Sequence, residues 1–247
     1  MLKFFRKIRQ NLIDQGDAKR YLLYAIGEIF LVVIGILIAL QINNWNEDRK
    51  DRQQEQQILA AILDNLVEDE ANLDYATQNF VRAQRAIERI IFPTQVPKDS
   101  LTYFFFRAYR FENYVPIRAA FDRSISSGTF DLIQDKQLAQ IIQRLYSYEL
   151  TLSDFQLSTL IENHREMRAM SRAYGVVELR DPGNQYDASF TMAFNPDRTL
   201  KLLESVDMKK LNKSYYANAN MISGQYQYIK SKNKGVQQKI QDYLKTL

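Results

Sequence analysis

One acidic residue, Glu28, lies inside an apolar stretch that runs from Tyr21 to Ile42. A carboxyl group in such a stretch can pass protons or ions through a membrane, or it can hydrogen-bond to a neighbouring helix. A charged side chain at the bilayer centre costs roughly 3 kcal/mol on insertion scales, so such residues normally face protein or water. Three interpretations of Glu28 stay open: an ion or proton pathway, a contact with a partner helix, and a link between identical helices.

The remaining sequence offers little that points to catalysis. The chain has no cysteine, which excludes disulfides, thiol nucleophiles and thiolate metal sites. It has a single histidine, His164, which argues against a histidine metal centre. No glycine-rich phosphate loop, G-x-S-x-G sequence or zinc motif is present. His164 is interpreted as a structural residue of a helix. We therefore predict a protein that is not an enzyme, with no catalytic residue, no metal and no cofactor.

The apolar stretch is long enough to cross a membrane. Its 22 residues span about 33 Å as a helix, which matches the hydrocarbon core. It exceeds the apolar region of a signal peptide and no A-x-A cleavage site follows, so a retained signal anchor is predicted. Lysine and arginine are more frequent before the stretch than after it. The positive-inside rule therefore predicts a cytoplasmic N-terminus and an extracytoplasmic, here periplasmic, C-terminal part.

Three regions follow from this placement. Residues 1–20 are predicted to be a cytoplasmic basic amphipathic segment, residues 21–45 the transmembrane helix, and residues 46–247 a periplasmic helical domain in a bacterial inner membrane. The first region alternates aromatic or aliphatic and basic residues, which is typical of a helix lying on an anionic leaflet. The residues expected to bind the inner leaflet are Lys3, Arg6, Lys7 and Arg9.

A heptad stripe in one phase begins in the apolar stretch and continues to Ile90. It predicts that the membrane helix runs on as one helix to about Phe92, with a break near residues 43–46 as the alternative. Within the membrane the same stripe predicts a helix–helix interface or an ion pathway. Gly35 and Ala39 add a small-xxx-small pair, which lets helices approach closely. The predicted site comprises Tyr24, Glu28, Leu31, Gly35, Ile38 and Ala39.

Beyond the stripe, turn and capping residues predict further helices. A short helix is expected with Pro116 near its first turn and Gly128 at its end. Asp135 is expected to cap a helix that runs to about Ala173. Residues 175–195 predict an irregular connection with a small hairpin, and residues 195–247 a final helical region that Gly224 and Gly235 could interrupt. The predicted fold is all-α: a transmembrane helix that continues into a long helix, with an extracytoplasmic antiparallel bundle of three or four helices.

Two compositional features have competing interpretations. An acidic block lies at residues 64–74 and a lysine- and tyrosine-rich region at residues 209–245. They could be complementary or solvated helix faces, while the lysines could also bind anionic lipid or envelope glycan. Nucleic acid is not expected as a partner outside the cytoplasm. The aromatic stretch at residues 103–114 could fill a bundle core or line a ligand groove.

Two stretches resemble a known family. They are "KFFRKIRQNLI" with "KRYLLYAIGEIFLVVIGILIALQINNWNEDRK" within residues 1–50, and "AFDRSISSGTFDLIQDKQLAQIIQRLY" at residues 120–146. Both are similar to single-pass membrane proteins of Bacteroidota that are classified as a domain of unknown function. The resemblance implies an inner-membrane protein with a periplasmic helical domain, and it implies no activity, cofactor or catalytic residue.

These observations favour a membrane-anchored, non-enzymatic helical protein that self-associates or serves as an accessory or scaffold subunit of an inner-membrane complex. The expected partners are membrane lipids and either a second copy of the chain or another membrane protein. One alternative is an oligomeric ion channel or ion-driven transport subunit that uses Glu28. Another is a periplasmic ligand-sensing module that acts through a partner, because the cytoplasmic end is too short for an output domain.

Overall fold

The computed structural model describes residues 18–110, 112–151, 154–180 and 191–247. Helices dominate this part of the chain, which confirms the all-α prediction. The helices are α1 (Ala18–Ile91), α2 (Lys98–Ala108), α3 (Ala119–Ser126), α4 (Lys136–Ser147), α5 (Asp154–Ala173), α6 (Pro196–Glu204) and α7 (Val206–Leu244). Short 3-10 turns occur at Pro93–Gln95, Thr129–Leu132 and Glu149–Thr151. Two strands, β1 (Val177–Arg180) and β2 (Thr191–Phe194), pair antiparallel and confirm the predicted hairpin.

The chain divides into two compact units, Met1–Gln54 and Glu55–Leu247. In the first unit the described residues belong to the N-terminal part of α1. This part is long and apolar enough to cross a membrane, and its most apolar window is not buried by any part of the chain that the structure describes. Its length and composition are compatible with a single-pass membrane anchor or signal anchor.

The helix α1 is unbroken from Ala18 to Ile91, so the predicted end near Phe92 is confirmed and the alternative break near residues 43–46 is not found. In the second unit the predicted stripe forms one wall of the core. Leucine, isoleucine, phenylalanine and alanine recur there at spacings of three and four, which puts them on one side of the helix. The buried stripe consists of Leu59, Ile62, Leu66, Asp69, Leu73, Ala76, Phe80, Ala83, Ile87 and Ile90.

The opposite wall is α7, which runs antiparallel to the second-unit part of α1. Contacts between the two helices pair rising residue numbers on α1 with falling numbers on α7. They are Glu55 with Tyr243 at 2.8 Å, Asp74 with Lys230 at 2.6 Å, Gln84 with Asn220 at 3.1 Å and Glu88 with Tyr216 at 3.0 Å. The antiparallel helical arrangement was predicted from the sequence.

The acidic block and the lysine-rich region meet across these two helices. Lys230 contacts Asp74 at 2.6 Å and Glu70 at 3.7 Å, and Lys234 contacts Glu70 at 3.0 Å. Glu70 is only about one quarter exposed, so these pairs are less screened than isolated surface pairs. The interpretation as complementary helix faces therefore holds for this part of the two regions.

The predicted single helix from Asp135 to Ala173 is wrong. Asp135 does cap α4, because its carboxylate accepts the N–H groups of Gln137 and Leu138. However, α4 ends at Ser147, and a 3-10 turn follows before α5 begins at Asp154. The turn buries Leu150 and Glu149, and Glu149 pairs with Arg144 at 3.3 Å. Tertiary packing of the turn outweighs the apolar period that favoured a continuous helix.

The final helical region is interrupted at Ser205 and not at the glycines. Asn195 caps α6 by accepting the N–H of Arg198, as predicted, and Ser205 caps α7 by accepting the N–H of Met208. Gly224 lies within the unbroken α7, as does Gly235. A serine hydroxyl that accepts a free backbone N–H is a strong signal for the start of a helix. A glycine within a helix only lowers its stability and need not end it.

The helix α3 also differs slightly from its prediction. It begins at Ala119, so Pro116 precedes the helix and does not lie in its first turn. Its end is as predicted, because Gly128 follows with a left-handed φ of 71°. Residues 112–118, between the short helices α2 and α3, have no regular structure.

Gly175 ends α5 with a reversal that leads directly into β1. Its φ is 61°, and its N–H donates to Arg172 while the N–H of Val176 donates to Ser171, both at 3.0 Å. This is the Schellman arrangement, which favours glycine because a Cβ is strained at positive φ. A Cβ at Gly175 would also lie 2.7 Å from the guanidinium of Arg198.

We predict opposite effects of alanine at two glycines. Gly175→Ala should lower the free energy of unfolding by about 1–2 kcal/mol, because alanine is strained at this left-handed position. Gly224→Ala is the matched control: this glycine is exposed in mid-helix, and a Cβ added there would have no neighbour within 4 Å, so alanine should raise the free energy by up to about 1 kcal/mol. Urea denaturation of the full chain in an uncharged detergent measures both, and equal effects of the two substitutions would contradict the assignment.

Candidate functional site

The predicted membrane site lies on α1 in the first unit. Leu31 and Ile38 are 71% and 55% exposed, Gly35 and Ala39 are also exposed, and Glu28 is half-buried. Tyr24 belongs to the same helix. The i, i+3 and i, i+4 spacing puts these residues along one side of the helix. Their role in association or conduction stays a prediction, and the inner-leaflet residues Lys3, Arg6, Lys7 and Arg9 lie outside the described residues.

In the second unit, polar residues of α1 hold the start of α3. The N–H of Ile117 donates to Asp69 Oδ1 at 2.9 Å, and the N–H of Ala120 donates to Asn65 Oδ1 at 3.0 Å. The first N–H groups of a helix lack partners within the helix, and the N-cap residue Arg118 makes no side-chain cap bond. Asn65 therefore caps α3 from another helix, and Asp69, one turn away on α1, holds the residue that precedes the N-cap.

A third polar residue of α1 acts in the same way near the start of the unit. Glu55 is fully buried, and its Oε1 accepts the N–H of Gln134 at 2.7 Å and the hydroxyl of Tyr243 at 2.8 Å. It thus connects α1 to the chain just before α4 and to the end of α7. A buried carboxylate that accepts two hydrogen bonds offsets part of its desolvation cost.

Asp69 is the most perturbed acid among the described residues outside the apolar N-terminal part of α1. Burial raises its pKa to about 6, although the N–H of Ile117 and the nearby Tyr114 hydroxyl both lower it. Its second oxygen, Oδ2, and the buried hydroxyls of Tyr114 and Tyr146 make no hydrogen bond of ordinary geometry. Burial, together with the charge of Asp69, also raises the pKa of each tyrosine. This cluster is enclosed, so it fits a structural role better than catalysis on a solvent-borne substrate.

The aromatic stretch that follows α1 divides between core and surface. Phe105 and Tyr109 are buried, and the Tyr109 hydroxyl donates to Asn212 at 2.6 Å. Tyr103 is exposed, and Phe106 packs against Phe194 of β2 with ring centroids 4.5 Å apart. The core interpretation therefore holds for Phe105 and Tyr109, whereas a ligand groove lined by the other aromatic residues stays a prediction.

A cleft of about 700 Å³ opens where α2, α5 and the two strands meet. Phe106, Tyr109, Met167 and Phe194 form its apolar lining. Its charged lining consists of Arg110, Arg168 and Arg172, with His164 beside them. Burial and the charge of Arg168 lower the pKa of His164, so the imidazole is neutral at pH 7 and can donate or accept a hydrogen bond. His164 was predicted to be structural, and its position in the cleft wall was not foreseen.

Within the part of the chain that the structure describes, no three acidic or histidine side chains come together in a way that could hold a metal ion. Neither Asn65 nor the arginines of α5 were singled out from the sequence. The available signal was spacing: Asn65 and Asp69 are four residues apart, as are Arg168 and Arg172. That spacing puts each pair on one helix face but does not identify what the face contacts.

Comparison with known proteins gives one match. The family described as "Family of unknown function (DUF6090)" matches residues 28–154, slightly more than half of the chain. The matched range includes Glu28, the α1 residues Asn65 and Asp69, and the second of the two stretches on which the resemblance rests. No curated protein and no solved structure matches the chain.

The pKa of Asp69 predicts an unusual pH dependence of stability. Because the folded pKa, about 6, lies above the unfolded value of about 3.9, the folded state binds more protons between these pH values. The contribution of Asp69 to the free energy of unfolding is therefore full below about pH 4 and falls by roughly 1–3 kcal/mol by pH 7. Asp69→Asn keeps the acceptor for Ile117 and removes the titration, so its stability should decline less between pH 4 and pH 7 than that of the wild type.

The measurement is urea denaturation of the full chain at pH 4, 5, 6 and 7. Asp64→Asn, which changes a carboxylate on the same helix outside the buried stripe, is the control and should keep the wild-type slope. If Asp69→Asn and Asp64→Asn have the same pH profile, Asp69 does not titrate in this range.

Proposed function

The chain belongs to DUF6090, a family of unknown function, and we propose that it is a membrane-anchored, non-enzymatic helical protein that associates through its membrane helix. The partner is a second copy of the chain or another membrane protein, for which this chain is an accessory or scaffold subunit. The helical unit Glu55–Leu247 then provides the surface that recognises other molecules. This assignment rests on the architecture, because the family carries no activity.

The exposed apolar part of α1 is the observation that supports this proposal. Its most apolar window is wholly unburied among the described residues, so lipid or another protein must cover it. Glu28 lies on the same helix side as Gly35 and Leu31. An acid in this position normally faces protein or water instead of lipid, and a glycine lets a second backbone approach closely. A protein partner on this side is compatible with both residues.

The proposed location is a bacterial inner membrane, with the N-terminus in the cytoplasm and the helical unit in the periplasm. The excess of lysine and arginine before residue 21 supports this orientation through the positive-inside rule. The resemblance of the sequence to Bacteroidota proteins supports the bacterial membrane. Lys3, Arg6, Lys7 and Arg9 would bind the anionic inner leaflet.

The main alternative function is an ion channel or an ion-driven transport subunit. Substitution of Glu28 distinguishes this function from simple association. Conduction requires a carboxyl group that gains and loses charge, whereas a helix contact requires only a group that donates and accepts hydrogen bonds. Glutamine keeps the hydrogen bonds and removes the titration. Retained association of Glu28→Gln therefore fits both functions, but loss of ion flux in liposomes would favour the alternative function.

We predict that Gly35→Leu disrupts association. The added side chain would separate two helices that pack through this face, and the self-associated or complexed fraction should fall at least about tenfold, equivalent to about 1.4 kcal/mol. The measurement is the mass of the full chain in a mild uncharged detergent, with identification of any chain that co-purifies. It distinguishes a homo-oligomer from a complex with another protein.

The matched control is Val33→Leu, which adds volume about 200° around the same helix by the 100° rotation per residue. It should leave the mass unchanged. A wild-type chain that is monomeric and without a partner under these conditions contradicts the proposal, as does equal disruption by both variants.

Topology gives an independent prediction. Protease added to spheroplasts should digest the helical unit and leave a protected fragment that contains the N-terminus and the membrane segment. The protected fragment should end after Trp45, the interfacial aromatic of the span. A tag at the N-terminus identifies this fragment, and lysis in detergent is the control that makes the tag accessible. Protection of the whole chain in intact spheroplasts contradicts the proposed orientation.

A further inference from the structure

We propose that the cleft between α2, α5 and the β-hairpin strands binds a small aromatic carboxylate. The site lies within the unit Glu55–Leu247 and is distinct from the membrane face of α1. It would give the helical unit a ligand of its own, whether or not the chain associates in the membrane.

The charge of the cleft is one-sided. Arg110, Arg168 and Arg172 line it, and no carboxylate is among the described residues that do so. Among the described residues, no carboxylate lies within 4 Å of the guanidinium groups of Arg168 or Arg172. Other arginines nearby are paired: on the same helix α5, Arg165 contacts Glu162. Unneutralised guanidinium groups around a concave surface concentrate a positive potential that attracts an anion.

The neighbouring acids that the structure describes do not cancel this charge. Glu112 lies 3.8 Å from Arg110, but both side chains are substantially exposed, so the pair is weak. Glu166 of α5 is near enough to Tyr109 to affect its hydroxyl but is absent from the cleft lining. Asp99 belongs to a neighbouring cleft, which shares Phe106, Arg110 and Phe194 with this one. Arg168 and Arg172 thus remain the natural anchors for a carboxylate, with the bidentate geometry that guanidinium groups favour.

The uncharged lining determines the rest of the ligand. Phe106 and Phe194 meet at an interplanar angle of 51°, and Phe194 remains 39% exposed. Tyr109 and Met167 extend the apolar surface. Aromatic and thioether side chains favour a flat π-system through offset, edge and sulfur contacts. The cavity of about 700 Å³ lies within the ordinary size range for small-molecule sites.

Separate contacts in the fold hold the α2 side of the cleft and the side formed by α5 and β1. The Tyr109 hydroxyl is anchored to Asn212 of α7, which fixes the end of α2. On the other side, the Gly175 reversal joins α5 to β1 and so positions Val177, a further lining residue, close to Arg172 in the chain. The backbone around the cleft and the Tyr109 side chain are thus fixed before a ligand binds, which lowers the entropy cost of binding for this part of the lining.

The test is ¹⁹F NMR with 4-(trifluoromethyl)benzoate as the probe and 4-(trifluoromethyl)benzamide as its neutral counterpart. The full chain is held in an uncharged maltoside detergent, and empty micelles provide the baseline for partition. We expect saturable broadening of the benzoate signal and binding of the benzamide at least about tenfold weaker, because hydrogen bonds to charged groups are the stronger ones.

Arg168→Gln/Arg172→Gln should weaken benzoate binding at least about tenfold and leave benzamide binding unchanged. Arg165→Gln, which changes an exposed arginine of the same helix that does not line the cleft, is the control and should keep the wild-type affinity. Circular dichroism verifies that the variants are folded. Equal binding of benzoate and benzamide, absence of saturable binding, or wild-type affinity in the double variant would each overturn the proposal, and the first two need no variant at all.

Discussion

The second unit depends on one constraint: backbone N–H groups that are buried against α1 must find acceptors. Residues 112–118 have no regular structure and lie between two short helices, so their N–H groups have no ladder to join. Asp69 supplies an acceptor for Ile117 of this segment, Asn65 for Ala120 in the first turn of α3, and Glu55 for Gln134 farther along. These polar positions interrupt an otherwise apolar face. They determine which segment of the chain packs against which turn of α1. Apolar burial alone would not select one such alignment over another.

This arrangement has an energetic cost that is visible at Asp69. One carboxylate oxygen is satisfied by Ile117, while the other is buried beside tyrosine hydroxyls without a hydrogen bond of ordinary geometry. Burial therefore favours the protonated acid more than water does, and the pKa rises to about 6. Glu55 has a better arrangement, because one of its oxygens accepts both a backbone N–H and a tyrosine hydroxyl, and neither oxygen is among the described buried atoms that lack a hydrogen bond. Buried carboxyl groups thus stabilise the fold to different degrees, according to how fully their oxygens are paired.

Local periodicity explains which parts of this structure were predictable. The stripe from Leu59 to Ile90 follows from spacing within one helix, and the caps Asp135 and Asn195 follow from residue type. Asp69 stands out in the sequence as a polar exception in the stripe, but its partner Ile117 is 48 residues away and no spacing rule connects them. The break after Ser147 was missed because Leu150 and Glu149 are buried by tertiary contacts that outweigh a continuous apolar period. The cleft arginines were missed for the same reason, since the cleft exists only once α5 and the strands are folded.

The apolar N-terminal part of α1 poses a different problem, because its predicted interface contains one acidic residue and no basic one. Proton and ion pathways through helices generally use several polar groups, so that charge can pass from one to the next. Between Tyr21 and Ile42 Glu28 is the only residue that is charged at neutral pH in water, and a conducting path would need either several copies of the chain or groups from a partner. A helix contact has no such requirement, because one carboxyl group can hydrogen-bond to one neighbour, and Gly35 on the same side permits the approach. Both functions thus require association first, and for this reason association is the more economical function to assign to this face.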